Sequence, residues 1–337
     1  MANFTDVSQS LDPILTGLFY EKVQSAQDFK GLIGAPAVAI DGITGQYLAL
    51  ADRPRLSLDQ SDDAYGAQQL EPLGLHDTSL PVGASFETRT VSLERYARNF
   101  LVEDREARQF NASSGFDLRD PAITYLAHKI LAVHAHKTFV GGYSVDTNYG
   151  DGSGSGAGSH VVDGPDLNTT SNTIADEILT GRQEIYDATG RYPNHVFVNP
   201  LVANALRLND SVRNRPNQGG SDNTLATSDA LAAFFAQMFG LQLVIVPATF
   251  TAADGTVARF MGDHIAMSFL DSSTTAPTYA CTFVEQGTNT TGDGATLAGI
   301  REERIEDPQA NKIIADVMYK VQIENKEAGY LIKDVLS

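Results

Sequence analysis

The segment Asn172–Arg207, NTIADEILTGRQEIYDATGRYPNHVFVNPLVANALR, predicts a helix, a tight turn, a short strand and a second helix. Asn172 or Thr173 can cap the first helix, and Gly190 can end it in a left-handed conformation. The apolar residues of this helix fall near one face, which we expect to be buried. They are Ile174, Ile178, Ile185 and Tyr186.

The second half of this segment also contains clear signals for where its elements begin and end. Pro193 prevents the first helix from resuming, and His195–Val198 is an apolar, β-branched run suited to a strand. Asn199 then caps the second helix and Pro200 opens it. Its apolar positions are Leu201, Val202, Ala205 and Leu206. Nothing in the segment is chemically reactive, which indicates a structural module.

This order of elements resembles the axial domain of tailed-bacteriophage major capsid proteins, which have the Hong Kong 97-type fold. The resemblance rests on Thr189–Gly190, then Pro193–Asn194, a short strand and a Pro-started helix. It continues with a helix over Leu231–Phe239 before Gly240, a strand over Leu241–Val246, and Gly262–Asp263 before a strand over Ile265–Phe269. It covers roughly residues 30 to 330 in order. The family often has Asp-Pro where this chain has Asn172–Thr173, which changes the cap and not the module.

The resemblance implies an α+β fold with five parts. These are an N-terminal arm (1–44), an extended two-stranded loop (45–92), a peripheral domain with a long spine helix (93–170), an axial domain (171–300) and a C-terminal return to the peripheral domain (301–337). In the return we expect strands over Asp316–Val321 and Gly329–Ile332.

Residues 51–92 are polar and rich in Asp, Gln, Gly, Pro and Ser, and they end in the alternating run Ser85–Val91. Long loops of this kind are usually functional or disordered, so a disordered insertion is the alternative. The resemblance implies instead an extension that reaches across an adjacent subunit. Some relatives crosslink a lysine of this extension to a neighbouring asparagine. Residues 45–92 contain no lysine, so we expect no such bond.

The other elements follow from local patterns. We expect strands over Pro36–Ile40 and Gln46–Leu50 around turns at Asp41–Gly42 and Thr44–Gly45, and a charged helix over Leu93–Phe110. Asp120–Pro121 opens the candidate spine helix. Its broad apolar face comprises Ile123, Leu126, Ile130, Leu131 and Val133.

Two stretches contain residue types that are found in ligand sites. In both, the spacing of these residues differs from the spacing that such sites need. His128, His134 and His136 lie on different faces of the spine helix, whereas helical zinc pairs need an i, i+4 spacing. The glycine-rich stretch 148–166 lacks the Gly-Lys-Ser/Thr of a phosphate loop and the final Glu of a calcium loop. We therefore expect no metal and no cofactor, and interpret 148–166 as a linker.

The composition and the hydropathy pattern argue against several classes of function for this chain. The formal charge of −18 argues against a surface that grips nucleic acid through phosphates, although an acidic wall can still enclose DNA. The single cysteine, Cys281, is interpreted as a buried small hydrophobe. The first residues lack the pattern of a signal peptide, and the most apolar twenty, 231–250, are too interrupted to span a membrane.

The interface candidates lie in three exposed stretches: the extension, a polar loop over Asn209–Thr227 that we expect to face the capsomer axis, and the charged run Arg301–Asp307. They are Arg53, Arg55, Phe86, Arg89, Arg213, Arg215, Arg301, Glu303 and Arg304.

The leading functional hypothesis is a major capsid protein that self-assembles, in the host cytoplasm, into the icosahedral shell of a virion around double-stranded DNA. Its expected partners are copies of itself in hexamers and pentamers, a portal, and scaffold or decoration proteins. An encapsulin-type compartment shell is the alternative on the same fold. A soluble α/β enzyme is the alternative from another class, but the chain has no GxSxG, HExxH, CxxC or phosphate-loop motif.

Overall fold

The computed structural model describes residues 30–40, 42–50, 86–114, 118–154, 159–168, 173–213, 227–273, 275–285, 299–306 and 309–336. The helices are α1 (Gly31–Gly34), α2 (Asp104–Ser114), α3 (Arg119–Thr138), α4 (Ile174–Thr189), α5 (Pro200–Leu208), α6 (Asp210–Arg213) and α7 (Ser228–Met238). The strands are β1 (Ala37–Ile40), β2 (Thr44–Leu50), β3 (Phe86–Ser92), β4 (Glu94–Glu103), β5 (Val161–Asp163), β6 (His195–Val198), β7 (Gln242–Ile245), β8 (Thr249–Thr251), β9 (Val257–Arg259), β10 (Ile265–Ser268), β11 (Ala280–Glu285), β12 (Gly299–Ile305), β13 (Ala310–Ile323) and β14 (Gly329–Lys333). Together they form a mixed α+β fold.

The first sheet joins β1, β11, β13 and β12 in that order, and β4 also pairs with β13. The ladder between β4 and β13 is antiparallel and runs from Glu94 opposite Tyr319 to Glu103 opposite Ala310. The predicted helix over Leu93–Phe110 is therefore wrong for its first eleven residues, and α2 begins only at Asp104. The cause is a pairing partner far away in the sequence, which local periodicity does not show.

Helix α3 is the predicted spine helix, and it packs along the first sheet. Ile123, Leu126 and Ile130 lie in one core cluster with Ile313 and Val317 of β13. Leu131 is also buried, but Val133, predicted on the same apolar face, is 39% exposed, so the prediction is wrong for Val133. A π-helical turn, Phe139–Tyr143, extends the helix and turns its last aromatic residues inward.

The second sheet has the order β5-β14-β10-β6-β7. Successive side chains of a strand point to opposite faces, and β6 shows this clearly. Val196 and Val198 pack with the helices α4, α5 and α7 on one face, whereas Phe197 enters an aromatic cluster on the other. Both faces of β6 are thus buried, as its continuous apolar sequence predicts.

The helix, strand and helix predicted within Asn172–Arg207 are confirmed. Helix α4 ends at Gly190, whose φ is 71°, and Asn199 Oδ1 accepts a hydrogen bond of 2.7 Å from the Val202 amide. Thr173 occupies the cap position of α4, but its side chain accepts no capping bond. Tyr186 and Leu201, both predicted as core residues, are 39% and 44% exposed. Each lies at the edge of its apolar helix face, where the sheet no longer covers it.

Buried aromatic rings join the two sheets. Tyr143, Tyr149 and Tyr279 contact one another, and Tyr143 also contacts Phe197 of β6. The Tyr149 hydroxyl donates to the Tyr143 carbonyl at 2.7 Å. Tyr149 lies in the stretch predicted as a linker, and β5, in the same stretch, pairs in parallel with β14. The linker interpretation is therefore wrong for Tyr149 and for β5, because Tyr149 is buried in the aromatic cluster and β5 is the edge strand of the second sheet.

The first two strands pair elsewhere than predicted. β1 runs parallel to β11, and β2 runs antiparallel to β3 in a separate two-stranded ribbon. Thr44 and Gly45 belong to β2 and do not form a turn. The two strands therefore do not make a hairpin with each other, because each pairs with a strand further along the chain.

The end of the chain divides between the two sheets. β12 and β13 lie in the first sheet, whereas β14 lies in the second, between β5 and β10. β11, which falls within 171–300, lies in the first sheet. Within the predicted polar loop 209–227, α6 forms and Val212 is buried, so that part is not an exposed loop. Of the described helices, none has the length and apolar character needed to span a membrane.

Candidate assembly surfaces

The ribbon of β2 and β3 is the base of the predicted extension, and it lies on the first sheet. Its body-facing residues Tyr47, Ala49 and Val91 join Cys281 and Phe283 of β11 in one core cluster. The Tyr47 ring lies 4.5 Å from the Phe283 ring, measured between centroids. On the opposite face Leu48 is 52% exposed. Leu50 and Phe86 are register partners at the end of the ribbon, so the extension leaves and re-enters the body at one place.

A buried carboxyl group contacts both strands of this ribbon and fastens it to the body. Glu324 follows directly after β13, and its side chain is only 6% exposed. The Tyr47 hydroxyl lies 2.8 and 2.9 Å from its two oxygens, and Arg89 Nη1 lies 3.3 Å from Glu324 Oε2. Tyr47 and Arg89 are register partners on the ribbon, so both strands hold the same carboxyl. Gln322 Nε2 also donates to the Tyr47 hydroxyl at 3.2 Å.

Burial raises the pKa of the Glu324 carboxyl above its ordinary value, although the Tyr47 hydrogen bond and the Arg89 charge act in the other direction. Burial and the same carboxyl raise the pKa of Tyr47. Burial also raises the pKa of the Cys281 thiol, which keeps it protonated and unreactive. The base of the extension is thus a place where polar groups are held away from water.

A second polar cluster joins β4 to the spine helix. Glu94 lies 2.8 Å from Lys137 Nζ and also contacts Lys320 and the Tyr96 hydroxyl. These hydrogen bonds, led by that from Lys137, lower the pKa of Glu94 to about 2. Because its side chain is 40% exposed, solvent screens most of this interaction.

The structure places the predicted interface residues in different situations. Arg53, Arg55 and Arg215 lie outside the described residues, and Phe86, Arg213 and Arg301 lie in β3, α6 and β12 without described side chains. Arg89, in contrast, is engaged within its own chain, with Glu324 and with Glu87 at 3.2 Å.

The charges of β12 also find partners within the chain. Arg304 makes hydrogen bonds to Asp104 at 2.6 Å and to Asn311 at 2.8 Å. Glu303 lies 3.9 Å from Lys312. The structure therefore gives these two residues a role in tying α2 and β13 to β12. Exposed pairs of this kind contribute about 0 to 1 kcal/mol each.

Helix α4 and the turn after it present an aromatic surface that includes Tyr186, which the sequence predicted as a core residue. Tyr186 stacks on Tyr192 with centroids 4.3 Å apart, and the Arg182 guanidinium lies 4.4 Å from the Tyr192 ring centroid. Leu179, two turns before Tyr186, is 37% exposed on the same face. Helix α5 has a similar outward pair, Leu201 and Leu208, of which Leu208 is 70% exposed.

The three histidines of the spine helix do not converge. His134 is buried, and His136 lies edge-on to Phe250 and Phe260. Thr282 Oγ1 donates its single hydrogen to the Ala35 carbonyl, so it must accept from His134 Nε2 at 2.9 Å. Burial lowers the pKa of His134 to about 4. Among the described residues no group of three His, Cys, Asp or Glu side chains is arranged to hold a metal ion.

Glu324 and Tyr47 are the site residues that sequence reasoning missed. Glu324 sits between two predicted strands in an acidic tail, where one carboxylate among 42 acidic residues carries no signal. Tyr47 lay in a predicted strand, but its neighbours there include the apolar Leu48 and Leu50, so no alternation in the sequence marks its inward direction.

Comparison with known proteins identifies the family. A profile of the family described as phage capsid protein matches residues 86–310, about two thirds of the chain. No curated protein sequence matches the chain. A phage-related protein from Bordetella bronchiseptica has a similar structure, with a TM-score of 0.67, 14% identity, and coverage of 97% of this chain and 98% of that one.

Two other solved structures share the fold at lower similarity. A virus-like particle from Pyrococcus furiosus gives a TM-score of 0.52 at 10% identity over 95% of this chain and 97% of that one. The capsid of cyanophage P-SCSP1u gives 0.52 at 10% identity over 90% and 87%. The mixed α+β fold thus matches that of Hong Kong 97-like capsid proteins. The chain belongs to the phage capsid protein family, and it is a structural component of the phage particle and not an enzyme.

Proposed function

We propose that this chain is the major capsid protein that assembles into an icosahedral shell around a double-stranded DNA phage genome. The observation that carries the proposal is the β2–β3 ribbon, which is anchored at its base while residues 51–85 are inserted between its register-paired ends, Leu50 and Phe86. Loops of this length are usually functional or disordered, and we propose that this one packs on a neighbouring subunit.

The proposed division of labour follows the two sheets. The first sheet with α3 is the peripheral domain, and the second sheet with α4, α5 and α7 is the axial domain. Residues 1–44 form the arm, of which α1 and β1 are built into the body. We keep the boundaries at 92, 170 and 300 for these units. Among the strands that depart from them, β11 falls within 171–300 but lies in the first sheet, and β14 falls within 301–337 but lies in the second sheet.

Exposed apolar side chains on α4 and α5 support assembly. Tyr186, Tyr192, Leu201 and Leu208 are each more than a third exposed on a lobe whose core is otherwise well covered. Adjacent exposed apolar side chains, such as the stacked Tyr186 and Tyr192, are the kind of surface that a partner chain covers. We propose that copies of the chain cover them in hexamers and pentamers, assembled in the host cytoplasm.

The charge of the chain supports containment of DNA by enclosure. A formal charge of −18 repels phosphates, so packaged DNA is held by the wall and not by specific contacts. A portal for DNA entry, and scaffold or decoration proteins, complete the proposed set of partners. No membrane contact is part of the proposal.

The first experiment is expression of the chain alone, followed by negative-stain electron microscopy. Shells of uniform size are expected. Nucleic acid in particles from infected cells supports the phage assignment, whereas shells filled with protein cargo favour the encapsulin alternative. A chain that stays monomeric at every concentration tested, with no added partner able to assemble it, contradicts a shell function.

The second experiment tests the extension. Residues 51–85 are replaced by Asn-Gly, which joins Leu50 to Phe86 in a tight turn and keeps every pair of the β2–β3 ladder. We expect a cooperative thermal melt by circular dichroism and only small oligomers in sedimentation. Two legs of about 15 residues reach roughly 50 Å, and the variant lacks that reach.

A length-matched replacement of residues 51–85 by a Gly-Ser chain is the control for this variant. It keeps the covalent connection and removes the side chains that would pack on a neighbour. It should fold and also fail to assemble. Normal shells from both variants would show that the extension is dispensable for assembly, and a globally unfolded Asn-Gly variant would show that it supports its own body.

A further inference from the structure

The contact between Glu324 and Tyr47 has an unusual hydrogen-bond balance. Both carboxyl oxygens lie within 2.9 Å of the Tyr47 hydroxyl, which has one hydrogen to donate. If the carboxyl is ionised, the two short contacts have to share the single hydroxyl hydrogen. If the carboxyl is neutral, its own hydroxyl donates to the Tyr47 oxygen while the Tyr47 hydroxyl donates to the other carboxyl oxygen. The geometry fits the neutral acid.

The charges around Glu324 point in the same direction. Its nearest described cation is Arg89, whose side chain is 35% exposed and which also pairs with Glu87. The other titratable groups facing the carboxyl are Tyr47 on β2 and Cys281 on β11, neither of which is cationic. Arg89 is partly exposed and is shared with a second carboxylate. It therefore compensates only poorly for the cost of burying a negative charge on Glu324.

Because the Glu324 carboxyl lies between the ribbon and the body, its protonation state affects the contact between them. Glu324 is the residue on which Tyr47 and Arg89, one from each strand of the ribbon, converge. The Glu324 carbonyl also accepts from Arg89 at 3.3 Å. Beyond these polar contacts, the ribbon is held by the apolar cluster around Phe283. A charge placed between ribbon and body therefore acts directly on how firmly the ribbon is docked.

We propose that Glu324 is a proton-controlled latch for the ribbon: the neutral carboxyl docks β2 and β3 on the first sheet, and the ionised carboxyl loosens them. The raised pKa of the carboxyl agrees with this direction. In the undocked state the carboxyl has an ordinary pKa, so docking is firmest below that value and weakens as the pH rises through the docked pKa. Any effect of the latch on residues 51–85 depends on the shell function proposed above. The latch itself does not depend on that function.

Hydrogen exchange of the β2 and β3 amides tests the latch in the unassembled chain, between about pH 4.5 and pH 8, with rates corrected for intrinsic exchange. In the wild type we expect protection of these amides to fall by at least about threefold across this range. Glu324→Gln keeps an acceptor oxygen for Tyr47 without a charge. Its ribbon should be as protected at pH 8 as the wild-type ribbon is at low pH, with no pH dependence.

Two further variants separate the latch from general acid or charge effects. Glu87→Gln leaves Arg89 to Glu324 alone, which stabilises the ionised form and should reduce the pH dependence. Glu303→Gln changes an exposed carboxylate on β12 and should leave the wild-type profile intact. A wild-type ribbon whose protection is flat with pH would overturn the latch, as would a Glu324→Gln ribbon that is loose at every pH. Because the readout needs no shell, failure of assembly would not affect either result.

Discussion

Gly329 is a position at which one added methyl group should be strongly destabilising. It begins β14, opposite Ser268 of β10, at the point where the two sheets meet the aromatic cluster. Its φ of −124° is ordinary extended backbone, so alanine can adopt the conformation. The obstacle is space: an added Cβ would lie 2.4 Å from Tyr279 Cε2 and 2.9 Å from Tyr149 Cε1.

The cost follows from how far the rings would have to move. Ordinary contact begins near 3.4 Å, so the Tyr279 ring must retreat by about 1.0 Å. Both rings are fully buried, and the Tyr149 hydroxyl is bonded to the Tyr143 carbonyl at 2.7 Å. Overpacking of a dense core costs about 1–3 kcal/mol, and two restrained rings place Gly329→Ala at about 2–3 kcal/mol.

The assay is urea unfolding of the unassembled chain, followed by circular dichroism, with the free energy of unfolding compared between variants. Gly141→Ala is the matched control, because Gly141 is exposed and nothing lies within 4 Å of an added Cβ. It should change stability by less than about 0.5 kcal/mol. In a Tyr279→Ala background, Gly329→Ala should cost much less, since the ring it strikes is gone. A Gly329→Ala protein as stable as the Gly141→Ala protein would refute the reasoning.

Asn199→Ala should lower the free energy of unfolding by about 2 kcal/mol, because it removes the cap of α5 and leaves the Gly262 carbonyl without the Asn199 amide. Thr227→Ala, at the exposed cap of α7, should cost about 0.5–1 kcal/mol in the same urea experiment, and equal losses would contradict the argument from burial. His134 should titrate at about pH 4 by NMR of the imidazole, well below an unfolded histidine near 6.5. Between these values the unfolded chain binds a proton that the folded chain refuses, so stability should fall as the pH drops from about 6.5 to about 4; a His134→Gln variant with the same acid profile would show that another group is responsible.

Local sequence signals were sufficient to predict an element wherever residues at its two ends mark where it begins and where it stops. The α4, β6 and α5 module follows from Gly190, Pro193, Asn199 and Pro200, each of which acts on backbone conformation within a few residues. The spine helix follows from its apolar period in the same way. The resemblance to capsid proteins rested on these elements, and the family match confirms it.

The nature of the interface candidates could be anticipated only in part. Arginine and glutamate are the residue types expected at charged contacts, but sequence does not say whether a partner lies in the same chain. Arg304 pairs with Asp104 and Arg89 pairs with Glu324, in each case two hundred residues or more away along the chain. The residue that fastens the ribbon, Glu324, has no local feature that distinguishes it from other acids.

The sequence alone determined which segments are helical or extended when caps, turns and apolar periods are present, because those cues act between neighbouring residues. Only the tertiary structure decided that Glu94–Glu103 is a strand, that β1 and β2 have different partners, and that Tyr149 is core. A strand is completed by hydrogen bonds to another strand, and here those strands lie far along the chain. Burial of a carboxyl or a tyrosine likewise depends on what packs against it, which no window of neighbouring residues contains.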